Sequence, residues 1–110
     1  MTGRLSFLTG SVTGMVADSR GGSAGGALVT LIPEESKRNR FDLYFTRTTE
    51  ANGRFNFTDV PAGIYRAFAW EDIPDGAYQS VEFMRPFEGR GTPIRVEKGS
   101  ADNLRLQLIP

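Results

Sequence analysis

Three acidic side chains at close spacing, Glu71, Asp72 and Asp75, are the residues whose type best suits cation binding. Calcium requires about six to eight converging oxygens, and three carboxylates with a few loop carbonyls supply only part of that shell. A weak metal site at this loop therefore competes with a solvated acidic turn. Glu34-Glu35 and Asp59 lie further off along the chain. Trp70 and Tyr78 suggest a second chemistry, an aromatic platform on which a sugar ring could stack. The competing reading packs Trp70 beneath the segment that follows it. The run GGSAGG at 21–26 has the glycines of a phosphate cradle. It lacks the Gly-Lys-Ser/Thr ending and a following helix, so a flexible hairpin loop is expected there.

Most reaction classes lack their principal residue. The chain has no histidine and no cysteine, which removes the usual proton shuttle, the commonest metal ligand and the thiolate nucleophile. Serines and threonines have no imidazole to activate them, and Lys37 or Lys98 is a poor substitute as base. A zinc site needs His, Cys or clustered carboxylates. No catalytic activity and no cofactor are expected. Acidic and basic residues balance at 13 each, so there is no net basic charge of the kind nucleic-acid binding uses. No apolar run reaches the roughly 20 residues of a membrane span. The opening MTGRLSFLTGSV is too weakly apolar for a secretory signal. With 110 residues, the chain is read as one soluble domain, residues 1–110, excised from a larger protein.

The elements that would position any site are strands. Apolar side chains recur at period 2, which places them on one face of a strand: Val12, Gly14, Val16; then Ala27, Val29, Leu31, stopped by Pro33; then Phe41, Leu43, Phe45. The polar run at 34–40 reads as an exposed connection. Asn52-Gly53 accepts the positive φ of a tight hairpin turn, followed by a strand with Phe55 and Phe57 inward. After a second turn at 59–63, Tyr65, Ala67 and Ala69 line one face and Ile64, Arg66, Phe68 and Trp70 the other, as in a central strand covered on both sides. Ser80 is a suitable N-cap for one or two helical turns over 80–87, limited by Pro86. Phe83, Met84 and Phe87 in that segment are expected to cap the open end of the fold rather than to contact a partner. Ile94 and Val96, a turn at 97–100, and Leu104, Leu106 and Leu108 complete the pattern. About seven short strands with regular turn signals predict an all-β, seven-stranded Greek-key β-sandwich with at most one short helix near 80–87.

Three stretches together resemble a known family: VTGMVAD at 12–18, Gly26-Ala27 with Val29 and Leu31, and Thr49 through Asn52, Gly53, Arg54, Phe55, Phe57, Val60, Pro61 and Gly63 to Tyr65. They are similar to the carboxypeptidase regulatory-like domains, prealbumin-like (transthyretin-like) sandwiches that share a fold group with starch-binding and other carbohydrate-binding-like domains. The likeness spans about residues 10–70. Each motif residue also has a structural reading: Gly53 for a positive-φ turn, Phe55 and Phe57 for the core, Pro61 and Gly63 for a reversal, and Tyr65 pointing inward with its hydroxyl tied to backbone. Related surface-adhesin domains can carry a Lys–Asn isopeptide bond. Asn103 suits the asparagine position, but the strand from Ser11 to Ala17 has no lysine. Asn56-Phe57-Thr58 matches a glycosylation sequon and carries little weight in mid-strand.

The resemblance implies a non-catalytic accessory domain, a spacer or protein-interaction module, of a larger exported bacterial protein. Its setting would be extracellular, periplasmic or at the cell envelope. Its partners would be other domains of the same chain, a cell-surface protein or a glycan. One alternative is a carbohydrate-binding module using Trp70 and Tyr78. Another is self-association through an exposed edge strand.

Overall fold

A computed structural model describes residues 9–37 and 40–109. The opening segment read above for a signal, residues 1–8, and the middle of the polar run, 38–39, lie outside the described residues. The period-2 segments form seven strands: β1 (Thr9–Ala17), β2 (Leu28–Pro33), β3 (Phe45–Thr48), β4 (Arg54–Pro61), β5 (Gly63–Trp70), β6 (Thr92–Val96) and β7 (Ala101–Ile109), with one short helix, α1 (Val81–Met84). The all-β sandwich and the single helix near 80–87 are as the sequence predicts.

In one sheet β1 lies between β4, to which it is antiparallel, and β7, to which it is parallel. In the other, β3, β2, β5 and β6 run antiparallel in that order. β7 joins the two. Ala101–Gln107 pair with β1, and the strand then crosses so that Leu108 and Ile109 pair with Ala69 and Trp70 of β5. The core fills the space between the sheets, with Val12, Val16, Phe55, Phe57 and Leu106 meeting Val29, Leu31, Tyr65, Ala67 and Ile94. Burying each of the larger side chains contributes about 1.5–3 kcal/mol. β1 approaches its neighbours so closely at Gly14 that a Cβ there would collide with the Leu104 carbonyl and lie 2.7 Å from the Phe55 ring.

β5 is covered on both faces, as its two-sided apolar pattern predicts. Its outer face carries a second cluster, in which Ile32, Phe68, Trp70, Met84 and Ile109 are buried beneath Ile73, Tyr78, Phe83 and Phe87. α1 begins where the Ser80 hydroxyl accepts the Phe83 amide at 3.2 Å, and a 3-10 turn over Arg85–Arg90 continues it past Pro86. Phe83, Met84 and Phe87 therefore cover the outer face of a sheet, not the open end of the sandwich.

Two further expectations change. Phe41–Leu43 is a 3-10 turn, so the strand starts only at Phe45. The Asn52-Gly53 turn is local and tight, with the Gly53 amide donating to the Glu50 carbonyl at 2.8 Å. Yet β3 and β4, which it connects, belong to different sheets and are not ladder partners. The same holds for 21–26, which links β1 to β2, and for the turn before β5. These are arches between layers, not hairpins.

Candidate functional site

The motif at 52–65 carries the strongest family signal, and its side chains are taken up by folding. Gly53 has φ +82°, and a Cβ there would sit 2.8 Å from the Val16 carbonyl oxygen. The Asn52 Oδ1 accepts the Arg54 amide at 3.1 Å. Thr58 and Asp59 add one residue to β4 opposite β1, where the register slips between Gly10 and Val12. Asp59 takes φ +57°, the left-handed geometry of a G1-type bulge. Tyr65 is 2% exposed and its hydroxyl donates to the Pro61 carbonyl at 2.7 Å, as the sequence predicts.

Burial, reinforced by the negative charge of Asp42, pushes the Tyr65 phenol up to about 12. Between about pH 10, where an unfolded tyrosine ionises, and pH 12, the unfolded chain gives up a proton that the folded chain retains. Tyr65 thus contributes stability that is present below pH 10 and is lost as pH rises through that window. Urea midpoints of wild type and Tyr65→Phe, measured from about pH 9 to 11.5, are expected to converge with rising pH. Parallel curves would show that Tyr65 is not the group responsible.

Trp70 is 2% exposed. Its ring stacks on Phe68 at 5.6 Å and 17° and receives the edge of Phe87 at 5.1 Å. Its Nε1–H donates to the buried Thr30 hydroxyl at 3.1 Å. A ring enclosed in this way presents no face to a sugar, which corrects the platform reading. Tyr78 is half-buried, 6.3 Å from Tyr44. It borders a hollow of about 290 Å³ with Leu28, Ile73 and Asp75, and Trp70 does not reach it. Glu71, Asp72 and Asp75 are all exposed. Among the described residues no group of three acidic side chains is placed to hold a metal ion.

The glycine-rich loop has used its amides internally. Asp18 Oδ1 accepts the amides of Arg20 and Gly22 at 2.8 and 2.9 Å, and the Ala24 and Gly26 amides donate to Val16 and Thr49 carbonyls. The buried Thr49 hydroxyl donates to the Ala24 carbonyl at 2.6 Å and accepts the Ala27 amide at 2.8 Å. The loop is stitched to the fold and has no row of amides aimed at a phosphate. The β3 and β4 edges of the sandwich are also guarded. β3 has four residues, β4 carries the bulge, and the Arg47 guanidinium lies over the Phe57 ring at 5.7 Å, closing the side between the sheets. Bulges and short edge strands disfavour edge-to-edge pairing.

The outer face of the three-stranded sheet holds an arrangement that linear reading missed. Register places Asn56, Thr13 and Asn103 in one row across β4, β1 and β7, and Arg54, Met15 and Arg105 in another. Both rows line a cleft of about 510 Å³, with Glu50 at its rim. In the sequence these residues are only the polar positions of three separate alternating strands. The one available signal was that the same two side-chain types, Asn and Arg, recur two residues apart on both outer strands.

No family model matches the chain, and no curated protein sequence does. Solved structures do. The TIE protein of Bacillus anthracis superposes with a TM-score of 0.58 at 19% identity, over 90% of this chain and 16% of that one. BcpA, the major pilin subunit of Bacillus cereus, gives 0.54 at 18% identity, over 90% of this chain and 29% of that one. A proposed carbohydrate-binding protein of Pseudomonas aeruginosa gives 0.52 at 18% identity, over 93% and 90% of the two chains. The chain thus spans less than a third of the first two proteins it resembles. At these identities the likeness is one of fold, and the chain is an all-β sandwich of the kind that recurs in bacterial pilin subunits.

Proposed function

We propose that this chain is a non-catalytic accessory domain, serving as a spacer and interaction module within a larger exported bacterial protein. The observation that carries the reading is the recurrence of this sandwich as a minor part of much longer proteins, among them a major pilin subunit. The internal chemistry supports it. The side chains of the strongest family motif, Gly53, Phe55, Phe57, Pro61, Gly63 and Tyr65, are committed to turns and core. A place among the carboxypeptidase regulatory-like domains belongs to the same proposal.

Removing residues 9–109 from the full-length protein should abolish its assembly with its surface partners, while its other domains still melt at their usual temperature. Unchanged assembly would refute an interaction role. Hydrolysis of any ester, amide or glycoside by the purified domain would refute the non-catalytic one.

A further inference from the structure

We infer that the outer face of the β4–β1–β7 sheet is a binding site for an acidic sugar, one carboxylate per unit with neutral hydroxyls around it. The inference goes beyond the accessory role and does not depend on it. The cleft, about 510 Å³ in volume, is within the range of small-ligand sites. One row across it places Arg54 and Arg105 on either side of Met15. Two strand spacings separate β4 from β7 by about 10 Å, so two long guanidinium side chains can close on one anion between them. Neither cleft arginine takes part in the Arg40–Asp42 or Arg95–Glu97 ion pair. A guanidinium is the side chain best shaped for a carboxylate, offering two parallel N–H donors.

The second row makes the site more than an anion trap. Asn56 and Asn103 each supply amide donors and an acceptor. Thr13, between them, already donates to the Asp102 carbonyl at 3.3 Å and keeps its oxygen as an acceptor. Alternating donors and acceptors suit vicinal hydroxyls. Met15, half-buried between the arginines, gives the C–H face of a sugar an apolar contact. The charge count decides the class of anion: two arginines against Glu50 on the rim leave about one net positive charge. A nucleic acid or polyphosphate would meet repulsion from Glu50 and too few cations. A uronic acid matches the charge.

The test is titration of the 15N-labelled domain with the monosaccharide galacturonate, with neutral galactose as the control. Backbone amides of Thr13, Met15, Arg54, Asn56 and Asn103 are expected to shift saturably with galacturonate alone, and binding should weaken as salt is raised. Arg54→Ala and Arg105→Ala should each raise Kd about tenfold, the scale of one lost charge-assisted hydrogen bond. Both side chains are exposed, so melting temperatures should be unchanged. The inference is overturned by any of three results: no saturable shift in wild type, an equal Kd in the double arginine variant, or shifts centred on Tyr78. Displacement by equimolar acetate or tighter binding of a tri-glutamate peptide would also overturn it, since either removes the role of the hydroxyls.

Discussion

Tyr65→Ala is expected to lower stability by about 3–5 kcal/mol, the range for truncating a large aromatic in a close-packed core. Three losses coincide. The ring fills the space between the sheets among Val12, Phe57 and Leu31 in the main core and meets the edge of Phe45 at 6.3 Å. Its hydroxyl ties β5 back to the Pro61 carbonyl at the arch from β4. Removing it also leaves that carbonyl without its donor, in a part-buried position where an unmade hydrogen bond costs about 1–3 kcal/mol. Tyr65→Phe separates these contributions: it keeps the ring and loses only the hydrogen bond, so it should cost about 1–3 kcal/mol. Equilibrium urea unfolding of the three proteins reads both differences. If Tyr65→Ala unfolded within 1 kcal/mol of Tyr65→Phe, the ring would not be part of the core.

What the linear sequence made legible follows from what is local. Alternation placed Val12, Val29, Phe55, Tyr65 and Leu106 on inward faces because the side-chain period of a strand is fixed by its backbone. Turn chemistry was equally local, and Gly53 does take a positive φ. Partner choice was not local. An Asn-Gly turn specifies that the chain reverses, and it says little about whether the two arms lie in one sheet or in facing sheets. Here the arms are in facing sheets. Arching packs Phe45 of β3 against the same core that Phe55 and Phe57 of β4 enter from the other layer, and a flat hairpin would have left one of these sets in water.

The same limit governed the site. Trp70 and Tyr78 are close in sequence, and their types suggest a platform. Whether a ring is exposed depends on what later chain lies over it, and the segment from Ile73 to Phe87 covers Trp70. Asn56 and Asn103 are far apart in sequence, yet both neighbour Thr13, since β1 takes β4 on one side and β7 on the other. A site built across three strands becomes visible only when register is known.

Trp70→Ala should destabilise the fold by about 3–5 kcal/mol and should act first on the outer layer. Trp70 is the common neighbour of Phe68, Phe83 and Phe87, so its loss removes the central aromatic contact between the 71–91 cover and the second sheet. It also strands the Thr30 hydroxyl, which is fully buried and accepts the indole N–H at 3.1 Å. Trp70→Phe should recover most of the packing and leave only the unpaired hydroxyl, at about 1–3 kcal/mol. Because the main core lies on the other face of β5, limited proteolysis of Trp70→Ala should cut within 71–91 under conditions where β1 and β4 still resist hydrogen exchange. In the wild type, fluorescence from this single tryptophan should be blue-shifted and resist iodide quenching. Ready quenching, or a Trp70→Ala variant as stable as wild type, would place the indole in solvent and restore the aromatic-platform reading that its burial rejects.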